Sequence, residues 1–235
     1  MKALVTGAAG FIGSHLVDAL LVASTSEIYG KNTTVGLMED DDRVIGSPLK
    51  SRWSYSEAKA IDESLVEAYV RQRGLRATIA RLFNTVGPRQ TGRYGMVLPR
   101  FVLQALRGDP LTVFGTGKQV RCFCHVLDVV PALIRLVAAD SACGRAVNFG
   151  SSEQVSIEEL AHRVIAATGS ASTIRNVSYQ EAYGSGYEDM LRRVPDCGLA
   201  WDLVGFRARR SLDEIIESVI SDQVAWAPAV AGAAS

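Results

Sequence analysis

The feature that most constrains this chain is a join. A glycine-patterned segment, Thr6-Gly7-Ala8-Ala9-Gly10-Phe11-Ile12-Gly13, runs within a few residues into a polar one, Ala23-Ser24-Thr25-Ser26-Glu27-Ile28-Tyr29-Gly30. Lys2 to Thr6 reads as a short buried strand and Phe11 to about Leu20 as an amphipathic helix. Between them Gly7, Gly10 and Gly13 allow a tight turn, close backbone approach to a pyrophosphate and close packing of helix on sheet. The helix N-terminal amides would then point at the phosphates. This context favours a dinucleotide turn over an ordinary strand-to-helix turn, and makes Gly7, Gly10, Phe11, Ile12 and Gly13 candidate cofactor-binding residues.

A dinucleotide fold next supplies a second strand ending in an acidic residue about 20 positions on, and then further strand and helix units. None is visible here, because only Leu21 and Val22 separate the helix from Ala23. Spacing alone also allows Leu20 to Ala23 to be that second strand, with Glu27 as its ribose-binding acid.

Trp53-Ser54-Tyr55-Ser56-Glu57-Ala58-Lys59 opens a predicted helix running to about Arg73. Tyr55 and Lys59 are four apart and share a face, so the ammonium can lower the phenol's pKa and also reach a bound ribose. A phenolate made this way can take a sugar hydroxyl proton while hydride leaves the same carbon, and the Thr25 hydroxyl could bridge the same oxygen. A surface helix carrying an unrelated Tyr and Lys fits the same spacing.

Further motifs follow in order: Arg81-Leu82-Phe83-Asn84-Thr85-Val86-Gly87-Pro88-Arg89, Gly117-Lys118-Gln119-Val120-Arg121-Cys122-Phe123 and Arg192-Arg193-Val194-Pro195-Asp196. With the glycine turn, the Ser24 to Gly30 segment and the Tyr55/Lys59 pair, they span nearly the whole chain. Together they resemble the extended short-chain dehydrogenase/reductase superfamily, and within it the UDP-glucuronate decarboxylases and nucleotide-sugar 4-epimerases. The resemblance implies NAD as cofactor and a UDP-sugar as substrate. It makes Tyr55 the base, Lys59 its tuning partner and nicotinamide-ribose ligand, and Thr25 the hydroxyl that orients the substrate oxygen. Ser26 and Glu27 fall where decarboxylases place a Ser and a Glu beside the reacting carbon. Related 4,6-dehydratases carry an Asp where Ser26 stands, and simple galactose-type epimerases usually lack the Glu, so Glu27 tips the expectation towards C4 oxidation of a UDP-hexuronate. The resemblance also gives Asn84, Arg89, Arg121, Arg193 and Asp196 to the substrate: Asn84 at the substrate-amide position, Arg121 at the diphosphate, Arg193 at phosphate and, in decarboxylases, also near the reacting end of the sugar, Asp196 at the uridine ribose.

The expected fold is α/β: a truncated Rossmann-type, doubly wound parallel sheet with a small C-terminal substrate-binding lobe. Residues 1–150 would form the dinucleotide domain, with part of the substrate lobe interleaved at about 87–120. Residues 151–224 would form the nucleotide-sugar lobe and 225–235 a flexible tail. Asn32 to Lys50, with the acidic run Glu39 to Asp42, reads as a loop. Helices are expected at Gly95 to Arg107, Val126 to Ala139, a Ser156/Glu159-capped segment to Ala167 and a Ser211/Glu214-capped segment to Ile220. Strands are expected at Ala77 to Leu82, Leu111 to Phe114 and Ala146 to Phe149.

Strands two and three of the dinucleotide fold carry the adenosine half of the site, and the missing region would also bring a helix that relatives pair with the Tyr55 helix to dimerise. A homodimer with part of its interface lost is therefore expected. So is one of three accommodations: partial unwinding of the first helix, a shift of the Thr25 strand into the vacant second position, or an edge supplied by a partner. A non-catalytic remnant that binds UDP-sugar, or acts as an interaction module, is the alternative.

Lysine plus arginine equals aspartate plus glutamate at 25 each, so no global field attracts nucleic acid or an acidic membrane, and phosphate binding falls to local basic clusters. No apolar run reaches the roughly 18 residues of a membrane helix, and Met1-Lys2 leads into a strand, so a cytoplasmic location is the default expectation. Cys122, Cys124, Cys143 and Cys197 lack zinc-type spacing with His15, His125 or His162, so they read as reduced thiols and no metal is expected.

Overall fold

A run of apolar residues, Leu20-Leu21-Val22-Ala23, opens the described part of the chain and forms the first half of strand β1 (Leu20–Thr25). The computed structural model describes residues 20–90, 92, 96–184 and 187–231. Leu20 thus begins a strand instead of ending a helix, because its side chain packs with Val66, Ala77 and Ile79 under the next helix, α1 (Ser54–Arg73). The glycine segment and its candidate residues Gly7, Gly10, Phe11, Ile12 and Gly13 lie outside the described residues.

β1 pairs in parallel with β2 (Ala77–Leu82), Leu20 opposite Ala77 and Thr25 opposite Leu82. The Thr25 strand has therefore not moved away from the Ala77–Leu82 strand. A parallel pair needs a crossover, and α1 provides it on one face of the sheet. The chain then passes through β3 (Thr85–Val86), α2 (Val97–Arg107), β4 (Leu111–Phe114), β5 (Val120–Cys122), β6 (Cys124–His125) and α3 (Val126–Ala138). It returns as β7 (Ala146–Phe149), parallel to β2 with Leu82 opposite Phe149. β8 (Gln154–Ser156), α4 (Ile157–Thr168), β9 (Ile174–Val177), α5 (Tyr179–Tyr183), α6 (Gly198–Val204) and α7 (Leu212–Ala231) complete the order.

Helices cover both faces of the β1–β2–β7 sheet. α1 packs on one side, and Val129, Ala132 and Leu136 of α3 join Ala200 and Val204 of α6 against Ala80, Val147 and Phe149 on the other. A separate core gathers Leu98, Phe101 and Val102 of α2, Leu111 and Val113 of β4, Leu160 and Val164 of α4, and Ile215, Ile216 and Val219 of α7. Ser156 accepts the Glu159 amide at 3.1 Å, so the expected cap opens α4. α7 begins where expected but continues to Ala231, past Ile220.

A buried polar chain fixes α1 on the sheet. Glu63, on the same α1 face as Tyr55 and Lys59, accepts from Ser24 Oγ and from Arg81, whose Nη2 lies 2.7 Å from Glu63 Oε2. Arg81 Nη1 donates to Tyr29 Oη at 2.9 Å and to the Glu39 carbonyl at 2.6 Å. Tyr29 donates to Asn148 Oδ1 at 2.8 Å, and Asn148 donates its backbone N–H to Glu39 Oε1 at 2.7 Å. Burial raises the Tyr29 phenol to about 12, so it remains a neutral donor.

Candidate functional site

Thr25, Leu82 and Phe149 end three parallel strands level with one another, and a cleft of about 940 Å³ opens along their C-terminal edge. The chain leaves β1 through a 3-10 turn, Ser26–Tyr29. Thr25 caps it, its Oγ1 accepting the Glu27 N–H at 3.2 Å. Gly30 closes it at φ 59° and ψ −126°, a conformation open essentially to glycine alone, and a Cβ there would lie 2.3 Å from the Val44 carbonyl oxygen. Ser56 Oγ donates to the Glu27 carbonyl at 2.9 Å, tying the first turn of α1 to the Glu27 turn.

Two guanidinium groups converge on the Glu27 carboxylate. Arg193 Nη1 lies 3.0 Å from Oε1, and Arg52 donates through both terminal nitrogens, Nη2 to Oε1 at 3.1 Å and Nη1 to Oε2. Burial alone would raise the Glu27 pKa, but Arg193 and Arg52 outweigh it and hold the carboxyl below its ordinary value. Arg193 also reaches Ser26 Oγ at 3.2 Å and Asn84 Oδ1 at 3.3 Å. Asn84 itself sits at φ 28°, and its Nδ2 donates to the Cys122 carbonyl at 2.9 Å. A non-glycine residue with positive φ at a cleft is strain of the kind concentrated at functional sites.

Beyond Arg193 the cleft is aromatic and cationic. Arg121 is buried, donates to the Met190 carbonyl at 2.7 Å and pairs with Asp189 at 3.0 Å. Burial, with repulsion from Arg193, brings its pKa down to about 10. Asp189 also accepts the Tyr179 hydroxyl at 2.6 Å. Tyr183 stacks on Tyr187 with ring centroids 4.2 Å apart, and Arg100 lies over Phe114 at 4.3 Å. Among the described residues Arg52, Lys59, Arg100, Arg121 and Arg193 face only Glu27 and Asp189 across the lining, so the cleft suits an anionic ligand. Its size is ample for a ligand larger than a monosaccharide. Of the six buried side-chain N and O atoms without a partner among the described residues, five belong to cleft residues: Arg52 Nε, Thr85 Oγ1, Gln90 Oε1, Arg100 Nε and Arg193 Nε. Such atoms are costly when unpaired, so their concentration here marks a place built for polar partners.

Thr25, Ser26, Glu27, Tyr55, Lys59, Asn84, Arg121 and Arg193 all line this one cleft. Tyr55 is 52% exposed, and Lys59 Nζ lies 3.2 Å from Asp62. Arg89 and Asp196 are not part of the lining. The Arg89 N–H donates to Asp222 at 2.7 Å, and Asp196 Oδ1 accepts the Gly198 N–H at 2.7 Å at the start of α6. Glu27 does not fit the spacing-based role of a ribose acid, since both its oxygens are held by arginines. Sequence reasoning missed Arg52, Arg100, Asp189 and the tyrosines. A signal existed for two of them: Tyr179 and Tyr183 stand four apart, the spacing of one helix face, and bound α5, whereas Tyr187 lies beyond its C-cap Gly184.

All four cysteines are free, and burial pushes the thiols of Cys122, Cys124 and Cys197 up to about 12, which leaves them poor nucleophiles. Among the described residues, no group of His, Cys, Asp and Glu side chains could hold a metal, and no helix is long and apolar enough to cross a membrane.

A parallel sheet with helices on both faces, and a ligand-sized cleft at the carboxyl ends of its strands, defines a Rossmann-type α/β protein. Residues 17–150 match the NAD dependent epimerase/dehydratase family, and the chain belongs to that family. Over 202 residues it is 40% identical to the UDP-N-acetyl-alpha-D-glucosaminuronate decarboxylase of Bacillus cytotoxicus, covering 86% of this chain and 62% of that one. Over 201 residues it is 35% identical to UDP-glucuronic acid decarboxylase 1 of Xenopus tropicalis, covering 86% and 46%. The chain thus spans about half to three-fifths of the length of these relatives. Among solved structures it is similar to UDP-glucuronic acid 4-epimerase from Bacillus cereus in complex with UDP-glucuronic acid and NAD. That match has a TM-score of 0.77 at 25% identity and covers 88% of this chain and 61% of the other. UDP-glucose 4-epimerase from Thermotoga maritima with UDP-glucose gives a TM-score of 0.79 at 25% identity, covering 90% and 65%.

Proposed function

We propose that this chain uses NAD to oxidise C4 of a UDP-hexuronate, as a UDP-glucuronate decarboxylase or 4-epimerase. The observation that carries this reading is the convergence of Thr25, Tyr55, Lys59 and the Arg-clamped Glu27 in one cleft that Arg100, Arg121 and Phe114 also line. The names of the relatives at 40% and 35% identity support the same substrate class.

The residues present fit the cofactor at its nicotinamide end. Lys59 and Tyr55 share a helix face on the cleft, and the Lys59–Asp62 contact is a half-exposed pair of the weak kind, easily given over to a ribose hydroxyl. Bound NAD would supply the hydride acceptor. Tyr55, acting as a phenolate beside the Lys59 ammonium, takes the O4 proton and becomes a neutral phenol as hydride leaves C4. Thr25 Oγ1 already accepts from the Glu27 amide, so its own proton remains to donate to the substrate oxygen. Arg121 and Arg100 meet the diphosphate, where guanidinium forks suit phosphate oxygens. Oxidation at C4 of a hexuronate gives a β-keto acid, which loses carbon dioxide with little further help.

A non-catalytic nucleotide-sugar binder is the second reading, favoured by the short stretch between the glycine segment and Thr25, which shows no second and third strand for the adenosine half of the cofactor. Mass spectrometry of ligand released on denaturation, NAD calorimetry and UDP-glucuronate turnover separate the two. An enzyme is expected to hold NAD with a micromolar dissociation constant, about 8 kcal/mol, and to lose turnover but keep UDP-sugar binding in Tyr55→Phe. UDP-sugar binding without NAD binding at millimolar concentration would leave the second reading.

A further inference from the structure

A second cavity, of about 980 Å³, lies behind one wall of the cleft. Gln119, Tyr179 and Asp189 make up that wall, since each of them lines both hollows. The chain segments beside it carry cations on both of their faces. Val120 pairs in parallel with Arg192 and both line the second cavity, whereas the next residue in each segment, Arg121 and Arg193, lines the cleft. Side chains alternate along extended chain, so Lys118, two residues before Val120, falls in the phase of Val120 and Arg192 and lines the second cavity with them.

Lys118 and Arg192 bring positive charge that the protein leaves unanswered. Among the described residues neither is paired with a carboxylate. The one carboxylate in the described lining, Asp189, is fully engaged: Oδ1 accepts Arg121 Nη2 at 3.0 Å and the Met190 N–H at 2.8 Å, and Oδ2 accepts the Tyr179 hydroxyl at 2.6 Å. Glu188, its neighbour in sequence, is held by Lys50, Trp53 and Lys31. Two hydroxyls of the lining add donors. Thr116 Oγ1 accepts the Lys118 N–H at 3.3 Å and Ser178 Oγ accepts the Glu181 N–H at 3.1 Å, so each keeps its own proton for a ligand. Two cations with hydroxyl donors around them suit an oxyanion with several oxygens, and a hollow of this size also holds an organic body. We propose that the second cavity is a binding site for a phosphate-bearing small molecule, with Lys118 and Arg192 on the phosphate. It stands apart from the nucleotide-sugar reading, whose residues lie on the other side of the Gln119, Tyr179 and Asp189 wall.

The test is calorimetric titration of inorganic pyrophosphate, without divalent cations, into the wild type, Lys118→Gln and the double variant Lys118→Gln/Arg192→Gln. The wild type is expected to bind it with a submillimolar dissociation constant. That affinity should weaken by roughly tenfold or more in the double variant, the scale of lost charge-assisted hydrogen bonds, and by less in Lys118→Gln. Thermal melts check that the variants fold, and a parallel titration with UDP reports on the cleft, where affinity should be unchanged. No pyrophosphate binding by the wild type at millimolar concentration, or an affinity that the double variant retains, overturns the site. So does an equal loss for UDP, which would place the effect in the general field of the protein. If the double variant does not fold, undiminished binding in Lys118→Gln overturns the site and a loss there upholds it. Failure of the wild type to bind UDP at all counts against the nucleotide-sugar reading alone, because the two cations tested lie outside the cleft.

Discussion

The Glu63 carboxylate lies 2.7 Å from Arg81 Nη2 between α1 and β2, and each side chain is 11% exposed. The pair holds the helix of Tyr55 and Lys59 against the sheet that carries Thr25. Removing one member leaves the other charge buried and uncompensated. Glu63→Gln is therefore expected to destabilise the fold by about 3 kcal/mol, measured by urea unfolding. Glu63→Leu combined with Arg81→Met should cost less than Glu63→Leu alone, because no lone charge remains. A double-variant loss equal to the sum of the Glu63→Leu and Arg81→Met losses would show that the pair is not coupled.

Gly30 and Gly36 both have positive φ, 59° and 76°, yet their surroundings differ. A Cβ on Gly30 would strike the Val44 carbonyl oxygen at 2.3 Å, whereas a Cβ on Gly36 would meet nothing within 4 Å. Gly36→Ala should cost only backbone strain, about 1 kcal/mol. Gly30→Ala should cost at least about 2 kcal/mol more through overpacking. Thermal melts of the two variants give the comparison.

Glu188 ties together three groups: Lys50 at 2.6 Å, the Trp53 indole N–H at 2.9 Å and Lys31 at 3.4 Å. The bonds from Lys50 and Trp53 pull its pKa down to about 2 from an ordinary 4.5. A depressed carboxylate contributes stability in full above pH 4.5 and loses it as pH falls towards 2. Melting temperature followed over that range should fall less steeply in Glu188→Gln than in the wild type.

His125 behaves in the opposite chemical sense with the same pH direction. Its Nδ1 accepts the Leu127 N–H at 3.0 Å to cap α3, and Nε2 lies 2.9 Å from Ser218 Oγ. Burial, and repulsion from Arg210, lower its pKa from 6.5. The folded state therefore resists a proton that the unfolded chain accepts, so stability is complete above pH 6.5 and declines as pH drops through the folded value. Replacing His125 by Asn, which retains an acceptor for the cap, should flatten the stability profile just below pH 6.5. A profile as steep as that of the wild type would exclude His125 as the source.

Local signals read well from the sequence. The strands Ala77–Leu82, Leu111–Phe114 and Ala146–Phe149 stand where their buried apolar runs put them. Ser211 and Glu214 exchange hydrogen bonds at the start of α7, as the capping spacing required. Most of the candidate site was legible too, because Thr25, Glu27, Tyr55 and Lys59 belong to short motifs. Arg52 was not, since its meaning depends on Glu27, 25 residues away, and on Tyr187. Nor was Glu188, whose partners Lys50 and Trp53 lie 138 and 135 residues distant. Pairings made by tertiary folding leave no periodicity to find. Leu20 shows the complementary limit: a leucine after a helical pattern extends it equally well by propensity, and only its contact with Val66 and Ile79 decides for a strand.

The alignment of Thr25, Leu82 and Phe149 across three strands also acts as a ruler. Side chains alternate along a strand, so Ser24 and Thr25 occupy opposite phases: one hydroxyl serves Glu63 in the scaffold, and the other caps the turn that presents Glu27. A single residue gained or lost within Leu20–Thr25 would exchange those duties. Over these six positions, a changed letter disturbs the site less than a changed count.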